Sequence, residues 1–342
     1  MNRSKAGVLT TVPRHVMDMA GGNAFRPLTM DAATAGGMAF LQSELEKRDP
    51  KVREPLTSVT WMRDIIVKTG GGWVDFTSTF HVDYATAGPN MYGLIGGQTN
   101  AIPTMQADIG KDIYPTFGWG NVLKVPYVDM QKLQGIGRSL DDLLDKGIRL
   151  NWNKTLDLMC YNGFGTNYGI VNNTSISSAS AAKGATGHTA WTTKTPEEIL
   201  YDINSLMVAT WAASEYDVTG MANYILIPPA QYSYIASQLI SIAGTVSILT
   251  YLLENNIGKT QGVDLQIFPS RWCIAAADDT TSDRMVGYVN DEDRLYMDIT
   301  VPVQRAMTMP DVKEAAYLTL YMGQIGVPKF LYTQCAAYSD GI

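Results

Sequence analysis

Apolar residues in Ser139–Tyr161 recur at Leu140, Leu143, Leu144, Ile148, Trp152, Leu156 and Met159. Most lie three or four apart, the repeat of one helix face. Ser139 can cap the first turn, Asp141 and Asp142 place negative charge at the positive end of the helix dipole, and Asn162-Gly163 supplies a left-handed stop. The spacing predicts a helix about 33 Å long. Gly147 in its middle costs ~1 kcal/mol relative to Ala, so packing has to hold it. A second helix opens at Thr195-Pro196-Glu197-Glu198, where a capping box coincides with proline at the first position. Its apolar face is Ile199, Ile203, Leu206, Met207 and Trp211.

Between Ser58 and Gly120 the pattern turns to strand. VTWMRDIIV reads as one strand, Gly70-Gly71-Gly72 punctuates, and WVDFTSTFHVDY alternates around Phe76, Phe80 and Val82. Ala85–Ala107 reads as loop and Asp112–Val125 as extended chain. The sum is a long two-stranded arm with a loose tip, and an isolated hairpin is marginal without a partner surface. Trp73, Phe76, Phe80, Tyr114, Phe117 and Trp119 form an aromatic set on it. They either pair across the hairpin or anchor it on a neighbouring subunit. The second is favoured, because no local core is large enough to hide them all.

Elsewhere, Met1–Pro27 reads as an extended arm. Asp31–Lys47 reads as a short helix whose thin face (Met38, Leu41, Leu45) needs another surface. Phe25, beside Arg26, joins Met38 and Leu41 as a further candidate inter-subunit contact. Asn162–Trp191 is a long polar loop. Ala222–Ile227 is a buried strand, Pro228-Pro229 opens a helix, and Thr245–Asn255 is another, stopped at Gly258. Val263–Phe268, Trp272–Ala277 and Arg284–Asn290 read as strands, and Tyr317–Met322 and Lys329–Tyr332 close the chain, split by Gly323, Gly326 and Pro328. With few βαβ alternations the class is α+β.

Composition sharpens this picture. Charged residues are 17% of 342, below the usual ~25%, so much of the surface is expected to be covered by other copies. Seventeen methionines suit adaptable contacts. A net charge of −7 excludes a module that grips nucleic acid by its phosphates. Cys160, Cys273 and Cys335 fit reduced core thiols better than a disulfide framework. The start has no signal-peptide pattern, and uncharged Val218–Leu253 is too interrupted by Pro, Gln and Gly for a membrane span.

No catalytic, cofactor or metal site is expected. His15, His81 and His188 lack metal-ligand spacing, and there is no Gly-x-Ser-x-Gly elbow. Gly163–Gly169 and Gly70–Gly72 have the wrong spacing or context for phosphate loops. The Asn-x-Ser/Thr triplets at Asn153, Asn172 and Asn173 are chance matches. Asp278-Asp279 reads as a turn and Asp291-Glu292-Asp293 as a helix start.

The order of parts resembles the major capsid protein of tailed bacteriophages, the Hong Kong 97-like fold shared with encapsulins. The resemblance rests on ADIGKDIYPTFGWGNVLKVPYVDMQKLQ leading into a helix that ends YNG, on TPEEILYDINSLM, on YILIPPAQYSYIAS and on YLTLYMGQIGVPKFLYTQ. It implies an N-terminal arm (1–56), a first P-domain strand region (57–72), an E-loop (73–120), a P-domain with its spine helix at 139–161 (121–217), an A-domain (218–303) and closing P-domain strands (304–342). The implied function is an icosahedral shell of hexamers and pentamers around double-stranded DNA, built with scaffolding and portal proteins and open to a decoration protein. The implied place is the virion, assembled in the host bacterial cytoplasm, with no membrane involved. An encapsulin-type compartment is the alternative, and a soluble enzyme is a more distant one. Some relatives weld subunits through an E-loop Lys and a late Asn. Lys111 could serve, but the last Asn is Asn290, so no isopeptide weld is expected.

Overall fold

A computed structural model describes residues 57–87, 104–135, 140–240, 246–279 and 281–342. The helix with the strongest period runs Leu140–Asn162 (α3). Its Ile148, Trp152, Leu156 and Met159 are buried. It follows a helical turn, Trp61–Asp64 (α1), and a nine-residue helix, Tyr127–Gly135 (α2). The first half of α3 lies against Leu123, Val125 and Tyr321. The second half joins a larger core with Ile65, Tyr288, Met297 and Val327.

Three sheets surround α3. Ile66–Thr69 (β1) pairs parallel with Leu295–Ile299 (β8), which pairs antiparallel with Pro328–Phe330 (β11). A four-stranded sheet has Phe76–Ala87 (β2), Thr104–Pro126 (β3), Ala316–Gly326 (β10) and Val301–Asp311 (β9) side by side, in that order. The third sheet runs Ser177–Ser180 (β4), Ala336–Asp340 (β12), Arg284–Tyr288 (β7), Tyr224–Ile227 (β5) and Gln266–Pro269 (β6). Helices Pro196–Ala213 (α4), Pro229–Ser237 (α5) and Ile248–Asn255 (α6) pack on this last sheet around a second core of Ile199, Ile203, Met207, Ile225 and Leu252. Strands β4 and β12 come from outside residues 218–303, so the sheet cuts across those expected boundaries.

The capping box forms as read: the Thr195 amide donates to Glu198 Oε2 at 2.9 Å, and the Glu198 amide to Thr195 Oγ1 at 3.4 Å. Other readings are corrected. VTWMRDIIV is not one strand, because the Asp157 carboxylate of α3 accepts the Thr60 and Trp61 amides at 2.9 and 3.1 Å and turns the chain into α1. Trp272–Ala277 is a turn and not a strand: the Trp272 indole donates to the same Asp157 at 2.8 Å. Gly258 does not end α6 but lies in a further helical turn, Ile257–Thr260 (α7), capped by Asn256. Gly323 does not split a strand. It sits inside β10, where a Cβ would come within 2.6 Å of the Trp152 ring, so glycine lets the sheet close on α3. Residues 291–293 begin no helix: they turn the chain into β8, with the Arg294 and Leu295 amides donating to the Asp291 carbonyl.

The 162–191 loop is nailed down. Arg284, 2% exposed, reaches the Val171 carbonyl at 2.9 Å and pairs with both Asp340 and Asp278. The Tyr338 hydroxyl donates to the Ile170 carbonyl at 2.6 Å. Among the described residues no helix is long and apolar enough to cross a membrane, and no cluster of His, Cys, Asp and Glu could hold a metal ion.

Candidate assembly surface

Strand alternation builds the surface. In the β2–β3 hairpin Phe76 lies opposite Pro115, Ser78 opposite Ile113, Phe80 opposite Lys111, Val82 opposite Ile109 and Tyr84 opposite Ala107. Opposed residues share a face. One side of the hairpin therefore carries Phe76, Phe80, Val82, Tyr84, Ile109 and Ile113, all exposed; Phe80 is 71% and Ile109 69% accessible. The other side carries Thr77, Thr79, His81 and Asp83 with Asp108, Asp112 and Tyr114. There His81 Nδ1 lies 3.3 Å from Asp112 Oδ2. The paired stretch of 12 residues is about 40 Å long.

The same alternation shows why the apolar side is bare. Strand β3 changes partner at Thr116, pairing with β2 up to Pro115 and with β10 from Thr116 onward. Its odd-numbered residues beyond that point, Trp119, Leu123 and Val125, turn toward α3. Its odd-numbered residues before it, Ile109 and Ile113, continue the same face and are exposed, with no helix above them among the described residues. A core-facing surface thus runs on past the end of the described core.

The six aromatic candidates separate into two groups, three on the β2 side of the hairpin and three on β3. Trp73, Phe76 and Phe80 are exposed, Trp73 by 54%. Phe117 packs edge-on against Phe164 at 5.2 Å. Trp119 packs edge-on against Trp152 at 5.2 Å and donates its indole N–H to Thr155 Oγ1 at 3.2 Å. Tyr114 lies 5.3 Å beneath the buried Lys329 ammonium, and burial, with Asp112 nearby, pushes its phenol up. These last three rings have partners in their own chain. Phe25, Met38 and Leu41 lie outside the described residues. Lys111 stands on the apolar side with its Nζ 5.8 Å from the Phe80 ring centre.

At the root of the hairpin the Gln324 side chain, 6% exposed, is fully engaged. Its Oε1 accepts from the Val74 amide at 3.1 Å and the Thr300 hydroxyl at 3.0 Å. Its Nε2 donates to the Val74 carbonyl and to Thr116 Oγ1, the latter at 2.9 Å. Sequence reading passed over this glutamine, since nothing local marks it.

The sequence model of the major capsid protein family matches residues 92–342, well over half of the chain. Among solved structures, the capsid of Myoviridae phage XM1 superposes with a TM-score of 0.72 at 14% identity, over 88% of this chain and 98% of that one. The capsid of a native GTA particle gives 0.60 at 10% identity, over 91% and 99%. A virus-like particle from Pyrococcus furiosus gives 0.50 at 12% identity, over 81% and 91%. No curated protein matches the sequence. With the family matched from residue 92 to the last residue and the fold shared with assembled shells, this chain belongs to the major capsid protein family.

Proposed function

We propose that the chain polymerises into the icosahedral head shell of a tailed bacteriophage, as pentamers and hexamers enclosing double-stranded DNA, and that its role is structural rather than catalytic. Portal and scaffolding proteins guide this assembly in the host bacterial cytoplasm, and the product is the virion. The observation that supports the reading best is the β2–β3 hairpin, whose core-like face is exposed and covered by none of the described residues. A second copy covers it, with Trp73, Phe76 and Phe80 as anchors. The sheet containing β3, β9 and β10 together with α3 serves as P-domain, the hairpin as E-loop, and the five-stranded sheet as the centre of the A-domain. Net charge of −7 keeps the wall from adhering to packaged DNA.

The test is a subunit whose residues 77–114 are replaced by a short turn. Residues 116–126 must stay, because they pair with β10 along its whole length. The expected product is a folded subunit that forms no shells in electron micrographs; particles of normal size and shape would refute the role of the hairpin. The virus-like particle among the similar folds is the one observation favouring an enzyme-storing compartment. Co-purification of one foreign protein, rather than DNA, inside the particles would select that reading.

A further inference from the structure

Three facts meet where the hairpin leaves the body. Gly70, Gly71 and Gly72 all have positive φ, 121°, 109° and 73°, and a Cβ on any of them would meet nothing within 4 Å. The chain entering β2 is thus a glycine run with open space at each Cβ position, anchored at its start by the Gly70 amide donating to the Ile299 carbonyl at 3.0 Å. Immediately after it, Val74 is held at both its amide and its carbonyl by one side chain, Gln324. Thr116 donates its amide to the Asp75 carbonyl at 3.1 Å and its hydroxyl to the Val74 carbonyl, at the position where β3 changes partner.

A primary amide bonded to both polar groups of one residue does what a neighbouring strand would do. Gln324 extends β10 sideways by one residue's worth of ladder. It uses both N–H groups and both acceptor sites, joining residue 74, β3 and Thr300 of the β8–β9 link. A buried amide with all four bonds made has one orientation.

We propose that Gln324 is a positioning residue for assembly: its amide clamps the β2 side of the hairpin root and fixes the angle at which the arm projects. This rests on the reading of the hairpin as the arm that docks on a second copy. With the clamp lost, β2 stays paired with β3, and the glycine run lets the whole hairpin pivot where β3 enters the sheet at Thr116. Docking persists, but at variable angle, and shell curvature ceases to be uniform.

The test compares Gln324→Met, which removes all four bonds, and Gln324→Glu, which can still accept from Val74 N–H and Thr300 but cannot donate to the Val74 carbonyl. Phe80→Ser on the hairpin face is the control. Both Gln324 variants are expected to keep the amide exchange protection of α3 and β7 and to give particles of broadened diameter; Gln324→Met loses at least tenfold protection at Val74 and Thr116, and Gln324→Glu, which keeps the Val74 acceptor, loses less at Val74. Reduced protection throughout the body would overturn the proposal by making Gln324 an ordinary stability residue. So would particles of wild-type diameter and spread from both variants while Phe80→Ser blocks assembly. If Phe80→Ser assembles normally, it is the docking reading beneath the proposal that fails, and the clamp falls with it.

Discussion

Replacing Phe80 by serine isolates docking from folding. The ring is 71% exposed in the single chain. An aromatic side chain carries roughly 150–250 Å² of surface, so about 140 Å² of Phe80 waits to be covered. At ~25 cal/mol per Å² that is about 3.5 kcal/mol on full burial. Ordering the side chain in the interface takes back ~0.5–1.5 kcal/mol, leaving about 2–3 kcal/mol. Each subunit in a closed shell offers one hairpin, so the loss counts once per subunit. At ~1.4 kcal/mol per tenfold, the concentration needed for assembly should rise about 30- to 140-fold. Light scattering of purified subunits across a concentration series reads this threshold, and thermal melting of the unassembled subunit is the control. Trp119→Ala should do the reverse and lower the melting temperature first, because its ring packs on Trp152 and its N–H bonds Thr155. An unchanged threshold for Phe80→Ser would refute the reasoning. A melting temperature lowered by several degrees would do so equally, since that would mean the ring is buried in its own chain.

Three further outcomes follow from the core. Asp157→Ala leaves the Thr60 amide, the Trp61 amide and the Trp272 indole N–H without an acceptor; at ~1–3 kcal/mol for the buried Trp61 amide and about 1 kcal/mol for each of the two part-buried donors, urea unfolding should show a loss of about 3–5 kcal/mol, with Asp157→Asn intermediate. Values for both variants within the error of wild type would contradict this account of α1. Arg149 first, then the Tyr321 hydroxyl, hold the Asp145 carboxyl below the usual carboxylate range. A lowered folded-state value means the contribution is whole above that range and disappears as pH falls through it; the melting gap between wild type and Asp145→Asn should therefore be open at pH 6 and close on acidification below about pH 4. A gap that widens in acid would reverse the sign. Cys160 and Cys273 are fully buried, and burial raises both thiols, Cys273 to about 12. A maleimide should label neither until denaturant is added, and rapid labelling of the native subunit would show that this core opens.

Helices α3 and α4 were legible because their signals are local: a 3.6-residue apolar repeat in one, a capping box in the other. The two-sidedness of β2 was equally plain in its alternation. What sequence could not give depends on partners far along the chain. Residues 61–64 read as part of a strand, yet turn into α1 because an aspartate 96 residues from Trp61 accepts the Thr60 and Trp61 amides. Gly323 looks like a strand breaker until Trp152 is seen filling the space above it. The aromatic set looked like one interface. It divides between β2, whose rings are exposed, and β3, whose Tyr114, Phe117 and Trp119 pack within their own chain, and that division shows only once β3 is seen to leave β2 for β10 at Thr116. Gln324 carried no signal at all, since its four bonds reach segments up to 250 residues distant.

The length of β3 has a consequence for a loaded shell. Its 23 residues run unbroken from the arm into the body. There an uninterrupted register from Thr116 against Gly326 to Pro126 against Ala316 fastens it to β10. Tension on the arm, as when a container swells from within, is directed along the strand and strains those bonds in shear. They resist together instead of unzipping singly from one end. A subunit tugged by its neighbour would stretch its glycine run long before β3 tore free.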